Sequence, residues 1–191
     1  ASLPEFNVVD NESAANFLVK VGGVYIDHRG MGTGKTELMA MIVKIAEAKN
    51  WRVGYLAHRV ALLANSCERL AIDNYEGLYW DLMRMVQSMG VCVNSAIKPC
   101  FSAFLKTCDV VLIDEVKQDL EHVAIGSVDN KHRSKIYELL KVIICNAKLV
   151  IGADADLDDK TLKFIQSTGR DITSITSKSR VNNKSVIYGN Y

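Results

Sequence analysis

The chain has 191 residues, of which 49% are hydrophobic and 24% charged, close to the average for a globular domain. The 23 Lys and Arg residues against 22 Asp and Glu give a net charge of +1, which neither indicates nor excludes a nucleic-acid partner. With 2 Pro and 12 Gly, the composition excludes a collagen-like or low-complexity chain, and its apolar content excludes disorder over most of the length. No apolar run reaches the roughly 18 residues that a membrane span needs. The 5 cysteines lack C-x-x-C spacing, which favours a reducing compartment.

Apolar strands alternate with amphipathic helices along most of the chain. Continuous apolar strands between such helices predict an α/β fold, with a mostly parallel sheet covered by helices on both faces. We expect residues 1–19 to form an N-terminal extension, 20–168 the folded lobe, and 169–191 a polar tail in which 186–188 is a candidate strand. The pattern predicts strands at 24–26, 53–57, 91–93, 110–113 and 149–151, helices over 38–45, 60–71, 120–124, 136–144 and 157–165, and a loop over 126–132.

A glycine-rich segment stands between the first predicted strand and the first predicted helix. Glycines let successive backbone N–H groups cradle phosphate oxygens, and the N-terminus of the following helix favours the same anion. Lys35 is placed to reach the β- and γ-phosphates, and the Thr36 hydroxyl to bind Mg²⁺. Arg29 occupies the place of the first Gly in the strict pattern G-x-x-x-x-G-K-[ST]. We predict that ATP and Mg²⁺ bind here, on Gly30, Met31, Gly32, Thr33, Gly34, Lys35 and Thr36.

An acidic pair follows the buried strand predicted at 110–113. In an open parallel sheet, ligands bind at the carboxyl ends of the strands, so Asp114 and Glu115 should emerge beside the glycine-rich loop. We expect Asp114 to hold Mg²⁺ through a water, and Glu115 to orient or deprotonate the attacking water. The predicted catalytic residues are therefore Lys35, Asp114 and Glu115.

These motifs, in this order, resemble the first RecA-like motor domain of superfamily 2 helicases. The match is closest to the viral and plasmid replication helicases related to herpesvirus origin-binding proteins, and it covers about residues 20–168. The resemblance implies a RecA-like P-loop NTPase fold. It is carried by GMGTGKT at 30–36, AHRVALLANSCERL at 57–70, VCVNSAIKP at 91–99, VVLIDEVKQDLEHV at 110–123 and IGADADL at 151–157.

The same resemblance implies two segments that contact the nucleic-acid backbone. His58 and Arg59 match the segment that follows the second strand, and the planar fork of Arg59 suits a phosphate. Asn94, Ser95 and Lys98 match the next such element. Contacts of this kind position a strand without reading its sequence.

A third segment implied by the resemblance couples hydrolysis to domain movement. Asp154 and Asp156 stand where most superfamily 2 helicases have Ser-Ala-Thr. We expect Asp154 to bridge to the site of Asp114 and Glu115, and Asp156 to cap the helix that begins near residue 157.

A motor of this family has two RecA-like lobes, and the second supplies arginine fingers that stabilise the transferring phosphoryl group. The chain is too short for a complete second lobe, so we expect it to be the N-terminal lobe of a longer protein that hydrolyses Mg-ATP slowly on its own. The expected partners are single-stranded or forked DNA, the second lobe and other replication proteins, with no membrane. The expected location is the cytoplasm, or the host cytoplasm for a phage or viral protein.

Two other functions remain open from the sequence. A small P-loop kinase would use the same loop, but it needs a lid carrying arginines, and the arginines here form no evident lid cluster. An ATP-gated loader or adaptor would bind a partner protein without DNA-stimulated turnover. Phosphate transfer to nucleosides or nucleotides would indicate the kinase, and ATP-dependent partner binding would indicate the adaptor.

Overall fold

A computed structural model describes residues 2–78, 85–125, 130–154 and 156–177. The helices are α1 Asn11–Val21, α2 Lys35–Ala48, α3 Val60–Leu70, α4 Pro99–Lys106, α5 Val116–Ile125, α6 Asn130–Asn146 and α7 Asp159–Gln166, with short 3₁₀ turns at Tyr75–Gly77 and Val93–Ser95. The strands are β1 Glu5–Val8, β2 Gly23–Asp27, β3 Val53–Ala57, β4 Asp73–Asn74, β5 Ser88–Cys92, β6 Val110–Asp114, β7 Leu149–Ala153 and β8 Ile172–Ser177.

These strands form one sheet in the order β1-β8-β2-β7-β6-β3-β5-β4, and every neighbouring pair is parallel. Strand β7 lies between β2 and β6, and its last residue, Ala153, pairs with Asp27 on one side and with Asp114 on the other. The carboxyl ends of β2, β7 and β6 are therefore level. This register brings the glycine-rich loop after β2 and the acidic pair after β6 to the same edge of the sheet.

Helices cover both faces of the sheet, which confirms the predicted α/β fold. Helices α1, α2 and α3 pack on one face, and α4, α6 and α7 pack on the other with the first turn of α5. The side chains of β6 alternate between the two cores: Val111 and Ile113 belong to one, Val110 and Leu112 to the other. Both faces are buried, so the strands are apolar at successive positions rather than alternating. Among the described residues, no helix has the length and apolar character to cross a membrane.

Strands β1 and β8 and helix α1 were not predicted from the sequence, and they belong to the same sheet and to one of its cores. Strand β1 pairs with β8, β8 pairs with β2, and α1 buries Leu18 in the core of α2. Residues assigned to an extension and a tail thus share the sheet of the predicted lobe. Strand β8 has the sequence ITSITS, and its Ser and Thr residues break the apolar run by which a buried strand is predicted. Residues 178–191, including the candidate strand at 186–188, lie outside the described residues.

Helices α6 and α7 begin at positions that differ from the prediction. Helix α6 begins at Asn130, inside the segment predicted as a loop over 126–132, of which 126–129 lie outside the described residues. Helix α7 begins at Asp159 and is capped by Asp158, whose carboxylate accepts a hydrogen bond from Thr161 N at 2.9 Å. Asp156 was predicted to cap this helix, but it lies too early in the chain, and its carboxylate bonds Lys117 Nζ at 3.1 Å instead.

Candidate active site

The glycine-rich loop leaves β2 after Asp27 and enters α2 at Lys35. Gly34 is the N-cap residue of α2, with φ 89° and ψ 25°, a left-handed conformation that strongly favours glycine. Gly34 offers no side-chain oxygen to cap the helix, so the first N–H groups of α2 are left to an external acceptor. Such a helix start is suited to bind an anion, and phosphate in particular.

Lys35 and Thr36 share a small pocket of about 50 Å³ with Asp114. The pocket also includes Tyr55 of β3, whose hydroxyl donates a hydrogen bond to Asp114 Oδ2 at 2.8 Å. Burial raises the pKa of Tyr55, and the negative charge of Asp114 raises it further, so the phenol stays protonated and remains a donor. Tyr55 thus fixes the orientation of the carboxylate that faces the loop.

The pocket contains oxygen donors suited to a magnesium ion. Mg²⁺ in nucleotide sites is held by one or two protein oxygens, with waters and phosphate oxygens completing its coordination. The Thr36 hydroxyl and the Asp114 carboxylate line the same pocket and fit that donor set. In the described part of the chain, no group of three or more His, Cys, Asp or Glu side chains is placed to hold a metal ion.

Glu115 has an unusual backbone conformation for a residue with a side chain. Its φ is 46°, in the left-handed region, where a Cβ crowds the following carbonyl. Asn50 and Ala71 also have positive φ, but both lie where helices end, a common place for this conformation. Glu115 instead joins β6 to α5 at the edge that carries the pocket. Backbone strain of this kind is typical of functional sites, and the catalytic role of Glu115 stays a prediction.

One turn after Glu115, α5 carries a buried acidic side chain, that of Asp119. Burial raises the pKa of Asp119 well above its usual range, and the charges of Asp114, Glu115 and Asp154 add to the rise. Sequence reasoning missed Asp119. Its i+4 spacing from Glu115, on a face that also carries Val116 and Leu120, was the available signal.

His58 lies between this buried carboxylate and Glu115. Its Nδ1 is 3.0 Å from Asp119 Oδ1 and 3.9 Å from Glu115 Oε2. The imidazole is 6% exposed, so it faces the acidic residues rather than the surface where a nucleic acid would bind. His58 thus departs from the expected backbone contact and links the end of β3 to the acidic cluster.

Asp154 connects three parts of the site. Its Oδ2 accepts a hydrogen bond from Lys117 N at 2.7 Å, which caps the start of α5 directly after Glu115. Its backbone N–H donates to Asp27 O at 3.1 Å, at the end of the strand that precedes the loop. Its other carboxylate oxygen accepts from Asp156 N at 2.9 Å. Asp154 therefore joins the end of β2 to the start of α5, and its expected bridge to Asp114 and Glu115 stays a prediction.

The remaining predicted residues surround the carboxyl ends of β3 and β5, which are neighbours in the sheet. Arg59 is exposed and precedes the first residue of α3. Asn94 and Ser95 lie in the 3₁₀ turn after β5 and are half-buried, and Lys98 is exposed before α4. These four residues follow two adjacent strand ends at the edge that also carries the loop.

A phosphate loop between β2 and α2, with an acidic pair at the same edge of a parallel sheet, is the arrangement of a P-loop nucleotide-binding domain. Solved structures of several helicases are similar to this chain, and its fold is that of their RecA-like domains. The helicase domain of Hef from Pyrococcus furiosus has a TM-score of 0.62 and 17% identity over 87% of this chain. The helicase MrfA bound to DNA has a TM-score of 0.64 and 12% identity over 90%. Mss116p bound to single-stranded RNA and AMP-PNP has a TM-score of 0.60 and 12% identity over 85%.

The chain spans only part of each protein it resembles. It covers 37% of the Hef chain, 27% of the MrfA chain and 38% of the Mss116p chain. An uncharacterized protein of Picosynechococcus sp. is 31% identical in an alignment of 143 residues that covers 71% of this chain and 14% of that protein. No family model matches the chain.

Proposed function

We propose that this chain is the ATP-binding and ATP-hydrolysing lobe of a DNA helicase or translocase that acts in phage, viral or plasmid replication. The observation that carries the proposal is the meeting of Lys35, Thr36 and Asp114 in one pocket beside the uncapped start of α2. The fold shared with helicases that bind DNA, or RNA and a nucleotide, supports it. The role in replication rests on the motif resemblance to origin-binding helicases.

In this proposal, the residues of the loop bind and orient the triphosphate. The N–H groups at the start of α2 donate to phosphate oxygens, and the Lys35 ammonium offsets charge on the β- and γ-phosphates. Thr36 and Asp114 would hold Mg²⁺, which neutralises charge on the phosphate oxygens when bound. Glu115 orients the attacking water and accepts its proton. Its carboxylate lies 3.9 Å from His58 Nδ1, at the start of α5.

The nucleic-acid contacts in this proposal come from the adjacent ends of β3 and β5. Arg59 is exposed and donates its guanidinium to a phosphate, and Lys98 adds a second cation near the neighbouring strand end. Asn94 and Ser95 supply short polar donors between them. We assign His58 to the acidic cluster instead, since its imidazole faces Asp119.

The second lobe completes the ATP site in this proposal. Its arginine fingers contribute a factor of about 10³–10⁵ to the rate in related phosphoryl-transfer enzymes. The isolated chain should therefore bind Mg-ATP but turn it over slowly.

The experiment measures binding of a fluorescent ATP analogue and Mg-dependent ATP hydrolysis at low salt, with and without single-stranded DNA. Lys35→Ala should lose both binding and turnover, because it removes the cation at the β- and γ-phosphates. Lys44→Ala is the matched control, since it removes an exposed lysine from the same helix. Equal ATP affinity in wild type and Lys35→Ala would contradict the proposal. If a longer form of this protein captured a partner protein in an ATP-dependent way, and DNA did not stimulate its ATP turnover, the adaptor function would be favoured.

A further inference from the structure

A buried ion pair lies beneath the glycine-rich loop, at the position where this sequence departs from the strict phosphate-loop pattern. The Arg29 guanidinium donates to both oxygens of Asp27, with Nε–Oδ1 at 2.9 Å and Nη2–Oδ2 at 2.8 Å. The two side chains are 3% and 1% exposed, so the pair is held away from solvent. Asp27 ends β2, which is hydrogen-bonded on both sides to β7 and β8. The ion pair therefore anchors the loop to the centre of the sheet.

The remaining guanidinium nitrogen reaches the second half of the loop and the N-terminal helix. Arg29 Nη1 donates to the Thr33 carbonyl at 3.3 Å and to Asn11 Oδ1 at 3.2 Å. Asn11 begins α1, and its Nδ2 donates to the Gly34 carbonyl at 3.3 Å and to Glu37 Oε2 at 3.1 Å. One network thus holds the carbonyls of both residues that precede α2.

Holding these two carbonyls also fixes the two N–H groups that follow them. In a planar trans peptide, the N–H points opposite to the C=O of the same unit. The Thr33 carbonyl points toward Arg29, so the N–H group of Gly34 points away from Arg29. The Gly34 carbonyl accepts from Asn11 Nδ2 at 3.3 Å and from Leu38 N within α2 at 2.9 Å, so the N–H group of Lys35 points away from both. Those N–H groups are among the donors that a phosphate requires at a helix start.

The left-handed backbone of Gly34, with φ 89°, and the close approach of Asn11 both favour glycine at this position. A Cβ on Gly34 would lie 2.7 Å from Asn11 Nδ2, closer than such atoms can pack. Gly34 therefore accommodates both the left-handed turn and the amide that holds it. Loop, ion pair and helix α1 fit together as one unit.

We propose that Asp27, Arg29 and Asn11 are positioning residues that hold the phosphate loop in its anion-binding shape before the nucleotide arrives. This inference rests on the proposed function of the same site. It makes α1, which the sequence motifs do not include, a determinant of nucleotide affinity. If the loop holds its phosphate-binding conformation for only a fraction of the time, its affinity for the nucleotide falls by that fraction.

The test uses Asn11→Ala, because Asn11 is only half-buried and its loss leaves the ion pair intact. Affinities for ATP, ADP and inorganic pyrophosphate are measured by titration calorimetry, and stability is measured by urea unfolding. If Asn11→Ala leaves the loop in its phosphate-binding conformation about a tenth of the time, affinity should fall about tenfold. The factor should be the same for ATP, ADP and pyrophosphate. The unfolding midpoint should change little. Asn16→Ala is the matched control, since Asn16 lies on the same helix and its amide donates to the Glu12 carbonyl within α1.

A second variant, Arg29→Lys, keeps the charge beside Asp27 but removes the fork that reaches Thr33 and Asn11. Arg29→Lys should weaken binding of all three ligands, as Asn11→Ala does. The double variant should lose little more affinity than either single variant. Wild-type affinity in Asn11→Ala, with Lys35→Ala still inactive in binding, would overturn this inference and leave the proposed function standing. If wild type and Lys35→Ala bind the ligands equally, the proposed function itself fails.

Discussion

Because the backbone at Glu115 is left-handed, we expect glycine to be more stable than alanine at this position, the reverse of the usual order. A Cβ in this region costs about 1–2 kcal/mol, and φ at Glu115 is 46°. Glycine elsewhere in an element is less favourable than alanine by about 0.5–1 kcal/mol, because it loses more chain entropy on folding. The difference leaves Glu115→Gly more stable than Glu115→Ala by about 0.5–1 kcal/mol. Both variants remove the same carboxylate, so the change in repulsion within the acidic cluster cancels between them.

The assay is urea unfolding of both variants, with the same pair of substitutions at Gln118 as the control. Gln118 is exposed on α5, where glycine should be less stable than alanine by about 1 kcal/mol. The two positions should therefore give opposite signs. If glycine destabilises position 115 as much as position 118, the strain argument is refuted.

Three further predictions concern the acidic cluster and the nucleic-acid edge. Glu115→Gln should keep ATP affinity and lose hydrolysis, since the amide cannot accept the water proton; equal loss of both would remove its role as base. Arg59→Ala should weaken single-stranded DNA binding and flatten its salt dependence, whereas Arg69→Ala, at the far end of the same helix, should not. Burial raises the pKa of Asp119 above its usual 3.8, so the folded state holds the proton more tightly and stability falls as the pH rises above that value. Asp119→Asn should then be more stable than wild type at pH 7, and the difference should shrink toward pH 4; a difference constant with pH would contradict this.

The strands that could be predicted from sequence are those buried on both faces. The apolar run at 53–57 coincides with β3, and the run at 110–113 lies within β6, because burial on both faces demands apolar residues at successive positions. Strand β8 escaped prediction because pairing with β1 and β2, rather than its own composition, makes it a strand. Local patterns carry no information about such partners.

The same distinction separates the predicted from the unpredicted parts of the site. The loop and the acidic pair are recognisable because their chemistry lies in contiguous residues. Tyr55 meets Asp114 only because β3 and β6 are neighbours in the sheet although 59 residues separate the two side chains in sequence. Asn11 meets the loop through the packing of α1 beside α2, from 23 residues before Gly34. Contacts of this kind depend on strand order and helix packing, which the sequence pattern left open.

Three unfavourable features of the fold lie near the edge that carries the loop. Glu115 has a strained backbone, the Asp27–Arg29 pair is desolvated, and Asp119 Oδ2 is buried with no hydrogen-bond partner among the described residues. Each feature lowers stability on its own. The fold tolerates them because β2, β6 and β7 are buried on both faces and over-determine the positions of their ends. A domain shaped by stability alone would replace these residues, and such local conflicts are expected at functional sites, which supports the proposed nucleotide site at this edge.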